Sequence, residues 1–520
     1  MLNRRIYMAG LLILYLLAGL SFPKGMEAST SKTASVLLIY DSAAISTPKE
    51  GNIEALERVL ASFGTQVTVM NYDHYEAGML NKFNKVISVR NADDLFQLPD
   101  SYVKDSANYA GDYLHIGNQV PENIRQALQL ESVSADQDTA KLEIGQLQQT
   151  AMTVKGISYL TKFKGKTYGS LSSEKLKINS PFAVMDGKYA YIPYLVKGNL
   201  SELAAAYLLK DWLTVTTSSH TYMVLDQIYP FSNLDLLNEM ADRLYDAGIP
   251  FIASVQPVLS NLDYPAVQRY LETLKHVQSR NGSIIVQAPV VASTISQDIT
   301  VLKSEMLAFL DALGGYGIVP LGVGSEMYWT YDQHYAANGL AYFDSSVIFP
   351  NERVLYRSQT ATSKAFQSAV YTIPNAELSQ YVAPGEILEP LPMDTALVYA
   401  FPEDRQKSEA LITKLLADWT TFSDYKNEVH TVRTEVNEMG SRNGQLRFNG
   451  QTILLNSNKQ DVNSEHAYVQ EGKKSLANLF SVQNKVFIIL IVTTLLLFTA
   501  FLIIGYRLYK RKYTHMGRQL

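Results

Sequence analysis

Two long apolar runs without a charge stand apart from the rest of the chain. Ile6 to Phe22 follows the basic pair Arg4-Arg5, and a short cationic region ahead of an apolar core is the pattern of a secretory signal. Residues 1–28 are therefore expected to be a signal peptide cleaved near Ala28, or a signal anchor that stays in place. Val486 to Tyr506 is long enough to cross about 30 Å of hydrocarbon as a helix, so 486–506 is expected to span a membrane. Residues 507–520 add Arg507, Lys510, Arg511, Lys512 and Arg518, with no acidic residue after Glu471. By the positive-inside rule this tail is cytoplasmic, which places everything between the two runs outside the cell membrane.

Between them the pattern changes three times. Ser35 to Asp41 is a continuous apolar run ending in a carboxylate, as in a strand buried on both faces. Helical periodicity over Asn52 to Phe63 follows, then strand-like runs at Gln66 to Met70, Lys85 to Val89 and Tyr113 to Ile116. This alternation predicts a small doubly wound, flavodoxin-like α/β domain over 34–130, with ligands expected near Asp41 and Ser42 at the strand ends. Residues 150–215 break into short β-prone pieces and one helix, Leu203 to Leu213, and are expected to form a β-rich bridge. From 219 to 455, strands at Tyr222–Asp226, Phe251–Val255, Ser283–Gln287, Gly317–Leu321, Ser346–Phe349 and Ala396–Ala400 alternate with helices. The first of them recur at about 30 residues, the spacing of βα units, and predict a deformed (β/α) barrel whose carboxyl-end mouth collects polar side chains. The polar stretch 456–484 is expected to be a tether.

Composition narrows the chemistry. The chain has no cysteine, which excludes disulfides, Cys-ligated metals and thiol catalysis. At 520 residues it is long enough for about three domains. Setting aside the leader, and the basic residues from Lys485 onward, leaves 36 basic against 49 acidic residues, about −13. Such a surface repels nucleic acid and fits a neutral or cationic partner.

The segments Tyr222-Met-Val-Leu-Asp-Gln-Ile-Tyr-Pro-Phe-Ser-Asn233, Ala247 to Pro257 and Asn281 to Pro289 resemble a family of polysaccharide-deacetylase-like domains of unknown function, the YdaL-like membrane proteins among them. The resemblance covers about residues 219 to 400, and it implies a deformed (β/α) barrel and a link to exopolysaccharide production. Active relatives of this type carry two acidic residues at the end of the first strand and two histidines further on. Here the first position is Asp226, the metal-binding one is Gln227, and Gln287 to Val291 stands where the histidines would fall. With Gln227, Gln287 and Val291 at the three ligand positions, the resemblance implies a degenerate site and no metal or other cofactor. The eight histidines agree, since no two lie closer than 36 residues.

What remains at the expected mouth is Asp226, Glu326 and the aromatic or polar neighbours Tyr229, Tyr328, Trp329 and Asp332. Rings beside carboxylates suit sugars, stacking on their C–H faces while polar groups take hydroxyls; the same rings also suit a helix start packed into a core. Two functions follow as expectations. One is a membrane-anchored accessory protein for exopolysaccharide synthesis, export or retention, with an inactive barrel binding a neutral or amino-sugar polysaccharide, beside a membrane glycan synthase. The other is a divergent hydrolase or deacetylase using Asp226 and Glu326 as acid and base.

Overall fold

The computed structural model describes residues 34–92, 96–289, 299–352, 360–383, 388–417, 420–455 and 476–514. The expected leader and Val291 lie outside the described residues. By internal contacts the chain forms two units, 1–462 and 463–520.

The first unit begins with β1 (Ser35–Tyr40), α1 (Asn52–Ser62), β2 (Gln66–Asn71), β3 (Lys85–Arg90), α2 (Asp100–Ala107), β4 (Asp112–Gly117) and α3 (Glu122–Ala127). The four strands are parallel in the order β2-β1-β3-β4. The unbroken apolar run of β1 has a simple cause. Successive side chains point to opposite faces, and Val36, Leu38 and Tyr40 enter one core while Leu37 and Ile39 enter another.

Next come β5 (Glu131–Ile144), β6 (Leu147–Lys162), β7 (Lys166–Ser173), β8 (Ile178–Asp186), β9 (Tyr189–Ile192) and α4 (Leu200–Trp212). β9 lies parallel to β4 and antiparallel to β8, and β7, β5 and β6 continue outward. The segment expected as a bridge is thus joined to the first α/β layer in a single sheet.

The barrel follows with β10 (Thr221–Ile228), α5 (Leu234–Asp246), β11 (Phe251–Val255), α6 (Pro265–Ser279), β12 (Gly282–Gln287), α7 (Ile299–Gly315), β13 (Pro320–Glu326), α8 (Met327–Tyr331), β14 (Ser345–Phe349), β15 (Ala361–Thr362), β16 (Ser368–Pro374), β17 (Thr395–Ala400) and α9 (Arg405–Ala417). Seven of these strands close in parallel, in the order β10-β11-β12-β13-β14-β16-β17, with β17 pairing back to β10. β15 is the exception: it leaves the barrel and pairs with β2, completing a ten-stranded sheet. Two expectations are corrected. The fourth barrel strand starts three residues later than the apolar run at Gly317 suggests, and β16 is an additional strand.

Barrel and sheet share one apolar cluster. At their junction the buried Arg58 of α1 donates to the Thr372 carbonyl at 2.6 Å, lies 3.5 Å from Glu202 of α4, and stacks 4.4 Å above the Tyr371 ring. The Tyr371 hydroxyl donates to Glu202 at 2.7 Å, so each buried charge has a partner, as burial demands.

The residues after α9 were expected to belong to the barrel. They form instead an antiparallel sheet of β18 (His430–Arg433), β19 (Glu438–Arg442), β20 (Gln445–Phe448) and β21 (Gln451–Thr452). It packs at the amino end of the barrel strands. His430 is hydrogen-bonded to the Ser345 hydroxyl and the Tyr425 carbonyl, each at 2.8 Å, and burial pushes its imidazole down to about 4.

The second unit is α10 (Leu476–Thr514), which contains the apolar span Phe487–Leu508 with mean hydropathy 3.0. It has the length and composition of a membrane-crossing helix. It begins at Leu476, so the last part of the segment expected as tether is helical; 456–475 lie outside the described residues.

Candidate binding surface at the barrel mouth

At the carboxyl end of β10 the pairing with β11 slips between Leu225 and Ile228, and Gln227 takes φ +64°. Such a bulge re-aims side chains. Gln227 is turned out to solvent, while Asp226 stays half-buried. The Asp226 carboxylate accepts from the Gln227 backbone N–H and from Ser254 of β11. Burial raises its pKa above the ordinary carboxylate range, and these two bonds only partly offset that.

The Ser254 hydroxyl also stands 2.9 Å from the side-chain oxygen of Gln287; its one proton serves one of these two acceptors at a time, and its position joins Asp226 to the next strand. Gln287 in turn lies over Gly324 of β13, where an added Cβ would stand 2.1 Å from its Oε1. Glycine at 324 is what gives the amide its room. Across four adjacent strands, β10 to β13, the mouth is thus lined by one carboxylate, one hydroxyl, one amide and a bare backbone.

Glu326 ends β13 but belongs to different surroundings. It accepts from the Glu352 N–H at 3.3 Å, and burial first, then the charges of Glu352 and Glu54, raise its pKa. Glu54 reaches in from α1, where it accepts from the Asn351 N–H at 2.9 Å and pairs with Lys197. The groups that act most on Glu326 do not include Asp226, whose strand is separated from β13 by β11 and β12.

The aromatic expectations divide. Trp329 is 1% exposed and is a core residue, with its ring seated over Gly339 and 4.8 Å from the Tyr335 ring. Its place in α8, which packs inward, removes it from the glycan-facing set. Tyr328 is half-buried beside it. Asp332 is exposed but caps the turn that follows, accepting from the N–H groups of His334 at 2.9 Å and Tyr335 at 3.0 Å. Tyr229 is half-buried on the β10–α5 loop and stacks on Phe231, with centroids 5.0 Å apart and planes 16° from parallel. Phe231 is 84% exposed. The turn is held by Tyr229 N–H to the Ser232 hydroxyl and Ser232 N–H to the Tyr229 carbonyl, both 3.0 Å.

Phe231 was missed by sequence reasoning, because Ile228 and Leu234 stand at helix spacing on either side of it and give it the pattern of a packed residue. A cavity of about 410 Å³ opens between the ends of β16 and β17 and α9. Its wall includes Tyr399, Phe401, Leu411 and Lys407, and the Phe401 N–H donates to the Asp226 carbonyl at 2.9 Å.

The donors at the mouth do not fit a catalytic metal. Asp226 is a lone carboxylate flanked by two neutral amides, and among the described residues no group of three or more His, Asp or Glu could hold an ion. No protein-family model matches the chain, and no curated protein matches it significantly.

Proposed function

We propose that this chain is a membrane-tethered accessory protein for exopolysaccharide synthesis, export or retention. In this reading 34–130 is a flavodoxin-like layer, the barrel is a polysaccharide-deacetylase-like fold that binds glycan without hydrolysing it, and residues 30–484 lie outside the cell. A membrane glycan synthase is the partner such a protein would serve.

The observation that carries the reading is the stacked Tyr229–Phe231 pair, held out to solvent on the loop that leaves Asp226. A sugar presents both the C–H face that an exposed ring stacks on and hydroxyls for Asp226 and Gln287. Titration calorimetry of the full chain in nanodiscs with a neutral or partly deacetylated polysaccharide should give a Kd in the roughly micromolar to millimolar range. Phe231→Ala should weaken it about threefold to tenfold. Unchanged affinity in the double variant Tyr229→Ala/Phe231→Ala would remove the mouth as the binding surface, and release of acetate or reducing ends would make the protein an enzyme. For the orientation, protease added to intact protoplasts should remove the large unit and spare the tail around Lys510.

A further inference from the structure

A cavity of about 730 Å³ lies away from the barrel mouth. It opens at the carboxyl end of the parallel strands of the first sheet. Pro48 and Lys49 reach it from the loop after β1, and Tyr194 and Val196 from the loop after β9. The remaining walls are β5, β6 and the β7–β8 turn, which supplies Glu174 and Lys175. In open α/β sheets this end is where ligands bind, and the volume falls inside the roughly 300–1,000 Å³ usual for ligand pockets.

The floor is built rather than accidental. Asp138 is 8% exposed, takes the Tyr159 hydroxyl at 2.9 Å and the Thr139 N–H at 2.8 Å, and is also bonded by Ser173. Burial raises its pKa, but these bonds and the nearby Lys175 charge more than offset that and hold it ionised. Its lone pairs are thus largely engaged by the protein. Tyr194, 6% exposed, accepts from the Asn199 amide at 3.3 Å and turns its ring to the same space. Three lysines line the space above this floor, Lys49, Lys155 and Lys175, the last lying 3.5 Å from the Gln137 carbonyl, against one further carboxylate, Glu174. The cavity is therefore locally cationic in an exported part whose overall charge is about −13.

We infer that this cavity is a second saccharide site, selective for segments that carry carboxylate groups. The inference rests on the glycan reading above and narrows it. Lysines on three walls meet carboxylates from different directions, while Thr139, Thr153 and Gln137 on the facing β5 and β6 offer hydroxyls and an amide to the ring hydroxyls. Placed on the other sheet from the barrel mouth, it would let one chain hold two positions along a polymer, which raises avidity without new contacts.

Calorimetry with tri-galacturonate as the acidic probe, an uncharged dextran oligomer of equal length and inorganic phosphate separates the possibilities. The full chain in nanodiscs is expected to bind tri-galacturonate, more weakly as salt rises. The triple variant Lys49→Ala/Lys155→Ala/Lys175→Ala should lose about tenfold or more in affinity for it. Phe231→Ala should leave that binding unchanged. The inference is overturned if the triple variant, shown folded by an unchanged Tm, binds the acidic probe as the parent does. It is equally overturned if phosphate alone binds as tightly, or if dextran shows the same lysine dependence. Should neutral polymer bind through Phe231 while no acidic probe depends on the lysines, only this inference fails; should no saccharide bind at all, the glycan reading fails with it.

Discussion

β1 and β10 announce themselves in the same way, Ser-Val-Leu-Leu-Ile-Tyr-Asp41 and Thr-Tyr-Met-Val-Leu-Asp226: an apolar run closed by an aspartate. Their carboxylates meet opposite fates. Asp41 is 6% exposed, lies 3.3 Å from Arg90, and accepts the N–H of Asn91 at 2.8 Å and of Ala92. It ties the ends of β1 and β3 together. Asp226 has no cation among its principal contacts; it keeps a hydroxyl and a backbone N–H, beside a bulge and an exposed aromatic pair. A carboxylate spent on a buried ion pair holds the fold, and one left without a counter-ion at a mouth is available to a ligand. The deciding residue, Arg90, stands far along the chain from Asp41.

The comparison breaks most visibly if Arg90 is removed. Arg90→Met should cost about 3–5 kcal/mol in urea unfolding at neutral pH, because a buried carboxylate loses its partner. The double variant Asp41→Asn/Arg90→Met should recover part of this, whereas Asp226→Asn should change stability by no more than about 1 kcal/mol. An Arg90→Met protein as stable as the parent would mean Asp41 does not need its pair.

Trp329 and Phe231 sharpen the contrast on the aromatic side. Trp329→Ala should destabilise by about 3–5 kcal/mol, as loss of a core indole does, and Phe231→Ala by no more than about 0.5 kcal/mol. A reversal of that order would put the recognition surface on α8.

The smallest effect is in pH. Burial raises the Asp226 pKa in the folded chain, so its contribution is fully present below the unfolded value of about 4 and is lost as pH rises through the folded value. Asp226→Asn should therefore match the parent in acid and become slightly more stable than it toward neutral pH. Melting curves across that range check the sign, and an Asn variant that loses stability on going from acid to neutral pH relative to the parent would contradict it.

What could be read from the chain alone follows from burial. β1, β10, β11 and β12 are covered on both faces, so their apolar runs are unbroken and visible. β5 is half in solvent, with Glu131 to Ser134 exposed and Asp138, Ala140, Leu142 and Ile144 alternating inward, so only three apolar residues marked its buried face and it left no run to find. β13 was placed too early because Gly322, Gly324 and Ser325 look like a loop. Space explains those residues: a Cβ at 322 would stand 2.8 Å from the Ser345 carbonyl oxygen, and one at 324 would strike Gln287. At the mouth, Asp226, Gln227 and Gln287 were placed at strand ends from sequence. Ser254, which joins two of them, looked like any residue of a buried strand, and Trp329 stayed open between two readings because an aromatic after a strand end reads the same in a cleft or a core.

The way the first unit ends has a mechanical consequence. β21 holds β20 by only two residue pairs, while β19 holds β20 and β18 by four each. Tension entering from the carboxyl-terminal side meets β21 first, and an antiparallel pair pulled from one end parts one rung at a time instead of all together. The small outer strand would peel before any parallel barrel strand carried load, lengthening the leash while the mouth kept its shape. A force–extension trace on the full chain should show that as one short, early and reversible step, the behaviour of a mechanical fuse at the end of the first unit.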